Sequence, residues 1–137
     1  MVEEKDRKVL IITDGADSIQ QMAENIAAII EGDSAYSVKT MDAESFAGND
    51  LLPCCAFFLG CESPKPSSFS YLETLFQHIN MVGRPCGLFS SNDQAVKYLS
   101  SLVTDSEAVT GSPLLAKDNA IDRDALHNWV QGNLKTA

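Results

Sequence analysis

Short apolar runs alternate with amphipathic segments along almost the whole chain. The five apolar runs are residues 8–13, 36–41, 54–60, 85–91 and 108–115. Short apolar runs of this kind predict strands, and the first is dominated by β-branched residues. The second, in which apolar and polar residues alternate, predicts an outer strand. Between the runs, apolar residues recur at helical spacing, which predicts helices over residues 19–30, 69–79, 96–103 and 125–130.

Polar and glycine residues mark the ends of the predicted helices. The expected N-terminal caps of the first, third and fourth helices are Asp17 or Ser18, Asn92 or Asp93, and Asp122. Gly32 and Gly83 are expected to end the first and second helices. Residues 42–50 are polar and predict a weak helical turn. Gly111 and Pro113 weaken the fifth run, so we expect that strand at an edge of the sheet.

Strands that alternate with helices predict an α/β protein. Right-handed crossovers place helices on both faces of a parallel sheet, so we expect a three-layer sandwich with a five-stranded sheet. With no internal linker, the expected organisation is a single domain over residues 1–137. In such a sheet, ligands bind at the carboxyl ends of the strands, where the strand order reverses. The loops in which to search for a site are residues 13–18, 60–69 and 90–94.

Charge and length narrow the function classes. The chain has 137 residues, with 10 Lys and Arg against 19 Asp and Glu, and a net charge of −9. This acidic balance repels phosphate backbones and anionic lipids, so we expect neither nucleic acid nor membrane partners. No segment reaches the roughly 18 apolar residues that a membrane helix needs, and the first residues do not resemble a secretory signal. We therefore expect a cytoplasmic protein.

The cysteines and histidines show neither a metal-ligand nor a disulfide pattern. There is no CxxC pair and no Cys/His cluster with zinc spacing, so we expect no metal. Most of the cysteines lie in or beside apolar runs, where free thiols are usually buried. Cys61 differs, because it directly follows the third predicted strand. Its thiol is either a packed, inert group or a reactive one, and Lys65 is the only nearby residue that would lower its pKa.

Catalytic motifs are absent as well. The G-x-S-x-G elbow and the G-x-G-x-x-G loop do not occur, and both histidines fall within predicted helices. A phosphoacceptor receiver domain uses acidic residues after its first strand, and Asp14, Asp17 and Lys117 invite that comparison. The third strand, however, ends in Gly60 and Cys61, with no Asp to accept a phosphoryl group. The sequence therefore contains no catalytic constellation.

Three segments resemble flavodoxins. KVLIIT at residues 8–13, followed by a glycine-containing turn and MAENIAAII at 22–30, resembles their first strand, phosphate loop and first helix. AFFLG at 56–60 and GRPCGLFSS at 83–91 are similar to their third and fourth strands. The resemblance spans residues 8–134 and implies the strand order 2-1-3-4-5, with FMN as the cofactor. The cofactor-binding positions that it implies are Thr13, Asp14, Gly15, Ala16, Asp17, Ser18, Gly60, Cys61, Glu62, Ser90, Ser91 and Asn92.

The loop at residues 13–18 departs from the flavodoxin pattern. Flavodoxins hold the FMN phosphate in a loop of the type Thr-x-Thr-Gly-x-Thr at a helix N-terminus, where N–H groups and hydroxyls donate to the anion. Here only Thr13 and Ser18 carry hydroxyls, and Asp14 and Asp17 place carboxylates where the phosphate would lie. Like charges ~4 Å apart repel by ~1 kcal/mol in water and by several times that in a partly desolvated loop. Alternatively, the two aspartates simply cap the first helix and occupy the site that the phosphate otherwise fills.

Aromatic walls for a flavin ring are missing from the expected loops. Residues 61–68 and 90–94 contain no Phe, Tyr or Trp. Phe69 fits the buried stripe of its helix, Tyr98 lies on a helix, and Trp129 is expected in the core. Acidic residues are also frequent in the loops at the carboxyl ends of the predicted strands. They either are simply solvated or form a rim that steers a basic partner. That rim would contain Asp14, Asp17, Glu62 and Asp93.

Two functions remain open. The first is a flavodoxin-like protein with a weak or lost FMN site, which acts through contacts with a redox or regulatory protein, a basic one, at the carboxyl ends of its strands. The second is an FMN-binding flavodoxin-type electron carrier, in which residues 15–18 supply backbone donors. The loop aspartates and the missing aromatic walls favour the first.

Overall fold

Among the described residues, six short strands form one parallel sheet. The computed structural model describes residues 7–32, 36–45, 47–51, 53–116 and 122–134. The strands are β1 (Arg7–Thr13), β2 (Tyr36–Asp42), β3 (Ala56–Gly60), β4 (Pro85–Ser90), β5 (Val109–Thr110) and β6 (Leu114–Leu115). Their order is β2-β1-β3-β4-β5, β6 also pairs with β4, and every pair is parallel. The predicted strand order 2-1-3-4-5 is therefore confirmed.

Helices cover both faces of the sheet, which confirms the three-layer α/β sandwich. They are α1 (Asp17–Glu31), α2 (Gly48–Leu51), α3 (Ser70–Phe76), α4 (Asp93–Val103) and α5 (Arg123–Leu134), with 3₁₀ turns at Ser67–Phe69 and Thr104–Ser106. Helices α1 and α5 pack with Val9 and Ile11 on one face, and α2, α3 and α4 pack with Leu10 and its neighbours on the other. Successive β1 side chains enter opposite cores, which explains its unbroken apolar run. No helix in the described segments is long and apolar enough to cross a membrane.

Gly60, at the end of β3, makes room for aromatic packing on the face that α1 and α5 cover. A Cβ at this position would lie 2.3 Å from Phe89 Cε2 on the neighbouring strand β4. The Phe89 ring in turn contacts Trp129 with a centroid distance of 6.5 Å, and Phe58 contacts the same indole at 5.5 Å. Trp129 packs on the core as expected but is only half-buried, because its Nε1–H donates to the exposed Ser112 carbonyl oxygen at 2.8 Å.

Two strands differ from the prediction by more than one residue at an end. The expected fifth strand, residues 108–115, is divided into β5 and β6, because Gly111 and Pro113 interrupt it and proline has no N–H to donate to a neighbouring strand. The third strand begins at Ala56 and not at residue 54.

Three predicted helix ends are confirmed and two are wrong. Gly32 is the C-cap of α1. The side chains of Asn92 and Asp122 cap α4 and α5 by accepting hydrogen bonds from N–H groups of the first turn. In contrast, the N-cap of α1 is Ala16, so neither Asp17 nor Ser18 caps that helix. Helix α3 ends at Phe76, well before Gly83, which lies in a later turn with φ +80°.

Candidate functional site

The carboxyl ends of the neighbouring strands lie side by side. Thr13 at the end of β1 pairs with Asp42 of β2 and with Gly60 of β3, and Ser90 of β4 pairs with Leu115 of β6. The loops that follow these strands therefore meet at one edge of the sheet. We call this the carboxyl edge and define it by residues 13–18, 42–45, 60–66 and 90–94.

Asp14 joins the loop after β1 to the loop after β3. Its Oδ1 accepts a hydrogen bond from the Ala16 N–H at 3.1 Å, and its Oδ2 accepts one from the Glu62 N–H at 2.9 Å. Hydrogen bonds to a charged group each contribute about 1.5–3 kcal/mol. The half-buried carboxylate therefore holds two loops of the carboxyl edge together.

Thr13 is fully buried and its hydroxyl is used within the loop. The hydroxyl donates to Gln20 Oε1 at 2.6 Å and accepts from the Gly15 N–H at 3.3 Å. The Thr13 carbonyl oxygen accepts from the Ala43 N–H at 2.8 Å, which fixes the loop after β2 against the end of β1. The hydroxyl that sequence reasoning assigned to a phosphate is thus engaged with the chain itself.

Gly15 occupies a position that requires glycine. Its φ is +84°, in the left-handed region, and a Cβ there would lie 3.1 Å from Asp42 Oδ2. The Asp42 carboxylate therefore lies beside the loop after β1. Sequence reasoning missed Asp42, although its position as the last residue of β2, the strand next to β1, is a signal that could have found it.

The N-terminus of α1 has no side-chain cap. Ala16, the N-cap, makes no such bond, and Asp17 is an exposed residue of the first helical turn, where its charge is favourable toward the helix dipole. The Ser18 Oγ is buried and has no hydrogen-bond partner among the described residues. The alternative interpretation, that Asp14 and Asp17 cap this helix, is therefore wrong.

Cys61 is a packed thiol. It is fully buried, and its Sγ donates to the Ser63 carbonyl oxygen at 3.2 Å. Burial, with a further contribution from the Asp14 charge, raises the pKa of the Cys61 thiol to about 12. The thiol is protonated at neutral pH, so the geometry favours the inert alternative over a reactive one.

The loop after β4 is tied to the loop after β3. The buried Ser90 hydroxyl donates to the Cys61 carbonyl oxygen at 2.6 Å and accepts from the Asn92 N–H at 3.0 Å. Asn92 in turn caps α4 by accepting from the Gln94 N–H at 2.8 Å, and Ser91 is half-buried. Like Asp14, these residues serve contacts within the edge.

Three N–H groups of the loops that the resemblance assigns to FMN already have acceptors within the chain. The N–H groups of Gly15, Ala16 and Glu62 already donate to oxygen atoms of this chain. Two carboxylates, those of Asp14 and Asp42, also lie at the loop, and each would repel a phosphate.

Flat walls for a flavin are also missing from the two expected loops. Phe69 is fully buried and packs against Tyr98 with a centroid distance of 6.3 Å. The Tyr98 hydroxyl donates to Glu73 Oε2 at 2.6 Å, so this hydroxyl is engaged in a hydrogen bond between α4 and α3. Tyr71 is exposed, but its hydroxyl accepts from the Gly48 N–H at 3.0 Å, on the β2 side of the edge.

Negative charge dominates the loops of the carboxyl edge. Their one basic residue, Lys65, forms an ion pair with Glu73 at 3.7 Å. No three His, Cys, Asp or Glu side chains in the described segments come together as a possible metal site. The acidic residues of these loops are Asp14, Asp17, Asp42, Glu44, Glu62 and Asp93.

Comparison with known proteins identifies the fold. No family model matches the chain, and no curated protein matches its sequence. A short-chain flavodoxin associated with a PDU bacterial microcompartment superposes with a TM-score of 0.81 at 12% identity, over 96% of this chain and 99% of the other. A flavodoxin from Streptococcus pneumoniae TIGR4 has a TM-score of 0.78 at 13% identity, over 95% and 99% of the two chains.

Flavodoxin 2 from Bacillus cereus is similar in the same way. It has a TM-score of 0.76 at 16% identity, over 95% of this chain and 99% of the other. The likeness thus extends over nearly the full length of each of these proteins. The chain has the flavodoxin-like fold.

Proposed function

We propose that the chain is a flavodoxin-like protein that acts in the cytoplasm through contacts with another protein at its carboxyl edge, without resident FMN. The observation that carries this proposal is the Asp14 carboxylate, which accepts from the N–H groups of Ala16 and Glu62 across the edge. A phosphate needs free N–H donors at this place, and here those of Ala16 and Glu62 already have an acceptor. Contact with a protein surface needs no such donors.

The partner is a redox or regulatory protein with a basic surface. The carboxylates of Asp17, Asp42, Glu44, Glu62 and Asp93 are all exposed at the carboxyl edge. A surface of one sign steers a partner of the opposite sign and excludes partners of the same sign. Because exposed charges are screened by salt, binding at this edge weakens as the ionic strength rises.

Tyr71 supplies an aromatic contact beside these charges. Its side chain is 46% exposed, and the hydrogen bond from the Gly48 N–H holds its hydroxyl in place. With Glu44, Ser67 and Ser68 it lines a groove of about 380 Å³. An aromatic ring beside a carboxylate suits a Lys or Arg side chain, which can stack on the ring and pair with the acid. This groove is an anchor point for the basic partner.

Charge reversal at two edges of the sheet tests the proposal. The first variant carries Glu62→Lys and Asp93→Lys at the carboxyl edge, and the matched control carries Glu31→Lys and Asp105→Lys near the ends of α1 and α4, at the opposite edge. All four residues are exposed, and both variants change the net charge equally because each replaces two acidic residues by Lys. Tagged proteins would capture partners from source-cell extract at low salt, and the affinity of the purified partner would then be measured.

We expect a partner rich in Lys and Arg whose affinity falls about ten-fold or more in the carboxyl-edge variant and less than about two-fold in the control. Equal weakening in both variants would show that only net charge matters. Capture of no basic protein by the wild type would contradict the proposal outright.

The second candidate function is FMN-binding electron transfer of the flavodoxin type. The observation that favours it is the N-terminus of α1, where Ala16 makes no side-chain capping bond and the buried Ser18 Oγ lacks a partner among the described residues. An anion at this helix terminus would be stabilised by N–H groups and by the helix dipole. Flavin binding by the wild type separates the two candidates.

A further inference from the structure

Hydrogen bonds from backbone N–H groups at the carboxyl edge end on side chains of the loop itself. The Gly15 N–H donates to Thr13 Oγ1 at 3.3 Å. The Ala16 N–H donates to Asp14 Oδ1 at 3.1 Å, and the Glu62 N–H donates to Asp14 Oδ2 at 2.9 Å. Two N–H groups from different loops thus converge on one carboxylate, which is the arrangement in which proteins hold a bound anion.

We propose that the Asp14 carboxylate is an internal anion that keeps a latent phosphate-binding site closed. It occupies the donors that the phosphate of a ligand such as FMN would otherwise use. This inference rests on the proposed function, since it assumes that the wild type holds no FMN. It goes beyond that function by stating that removal of this one carboxylate restores phosphate binding, which general repulsion between a phosphate and an acidic loop does not predict.

The groups around Asp14 are those that a phosphate would need once the carboxylate is gone. The N–H groups of Ala16 and Glu62 would be freed, and the first turn of α1 has no side-chain acceptor at its N-cap. The Ser18 Oγ, buried and without a partner in the described segments, adds a hydroxyl at the same helix end. Removal of one carboxylate therefore opens several donors together.

Asp17 provides the matched comparison. It lies in the same loop region and carries the same charge, but it is exposed in the first turn of α1. If charge repulsion alone excluded a phosphate, neutralising Asp14 or Asp17 would raise the affinity for FMN by similar factors. If Asp14 occupies the donors, only its replacement opens the site.

The experiment measures flavin binding by Asp14→Ser, Asp14→Asn, Asp17→Asn and the wild type. Each protein is titrated with FMN and, separately, with riboflavin, which has the same ring system but no phosphate. Inorganic phosphate serves as a competitor. Circular dichroism confirms that each variant is folded.

We expect Asp14→Ser to bind FMN at least about ten-fold more tightly than the wild type does, a factor that even one hydrogen bond to an anion supplies. Riboflavin affinity stays unchanged, inorganic phosphate competes with FMN, and Asp17→Asn gains less than about three-fold because it removes only a screened charge. The gain in FMN affinity of Asp14→Asn lies between those of Asp17→Asn and Asp14→Ser, since the amide oxygen can still accept one of the two hydrogen bonds.

Equal gains from the Asp14 and Asp17 variants, or no gain in a folded Asp14→Ser protein, would overturn the inference and leave the proposed function intact. Tight FMN binding by the wild type would instead overturn the proposed function. Amide hydrogen exchange is a second measurement that needs no ligand. The Glu62 N–H is expected to be protected in the wild type and to exchange faster in Asp14→Ser, and an unprotected Glu62 N–H in the wild type would contradict the internal contact.

Discussion

Gly60 lies against the ring of Phe89 where β3 ends at the carboxyl edge. Because an added Cβ would lie 2.3 Å from Phe89 Cε2, Gly60→Ala forces the ring or the strand to move. Overpacking of this kind costs about 1–3 kcal/mol. We expect the free energy of unfolding in urea to fall by that amount.

The matched control for this substitution is Gly132→Ala. Gly132 lies in α5, where an added Cβ would have no atom within 4 Å. Alanine is the better helix former by up to ~1 kcal/mol, so this variant should be at least as stable as the wild type. Equal losses from both substitutions would mean that Gly60 is not tightly packed.

Single residues of the carboxyl edge also show where sequence reasoning stops. The aspartates of the loop after β1 were recognised as unfavourable for a phosphate, but the sequence does not distinguish their roles. Asp14 turns out to bridge two loops, whereas Asp17 is exposed. The bridge depends on Glu62, a residue 48 positions away along the chain, and no local pattern reports such a contact.

Helix α1 begins without a side-chain cap, which makes it an element that can be stabilised. Its N-cap, Ala16, has the extended backbone (φ −64°, ψ 140°) that suits a capping residue. Ala16→Ser should therefore supply the missing acceptor and raise the free energy of unfolding by about 0.5–2 kcal/mol. Thermal and urea unfolding would measure the change.

Ala28→Ser is the control, because Ala28 is an exposed residue within the same helix. There serine only lowers helix propensity, by up to ~0.7 kcal/mol, so the two substitutions should have opposite signs. A loss of stability in Ala16→Ser would show that the N-terminus of α1 has another acceptor.

The elements themselves were largely predictable from periodicity. β1, β3 and β4 are buried strands, so their apolar runs are unambiguous, and α1 and α4 keep a clear apolar stripe. Prediction failed at some of the element ends. Ala16 is the N-cap residue of α1 although alanine has no side-chain acceptor, and the fifth strand is divided because Pro113 cannot donate to its neighbour.

The whole molecule should lose stability at alkaline pH. Burial raises the pKa of Cys61 to about 12 and, with the neighbouring Cys55, that of Cys54 to about 11, from an ordinary value of 9.0. A group whose pKa is raised by folding contributes stability that is complete below the unfolded pKa and is lost as the pH rises toward the folded one. The melting temperature should therefore stay level up to pH ~8 and fall above pH ~9.

Cys61→Ala isolates one of these thiols. The variant should start from a lower melting temperature, because it loses buried contacts, but its decline above pH ~9 should be shallower than that of the wild type. A wild-type melting temperature that does not change between pH ~9 and ~11 would contradict the buried, protonated state of these cysteines.

The charge of the whole molecule was known from composition, but its placement was not. Parallel strands bring loops that are far apart in sequence to one edge, and the register of Thr13 with Asp42 and Gly60 places their acidic residues side by side. The expectation that this edge binds a basic protein remains a prediction. It depends on a partner surface, which no property of this chain alone can specify.

The most direct test of the central claim is a titration of FMN with the purified wild-type protein, followed by flavin fluorescence. We predict a colourless preparation and no quenching at protein concentrations up to ~100 μM, which corresponds to binding weaker than about −5.5 kcal/mol. Quenching at micromolar protein, or a yellow preparation that retains flavin, would contradict the claim and would identify the chain as a flavin-binding electron carrier.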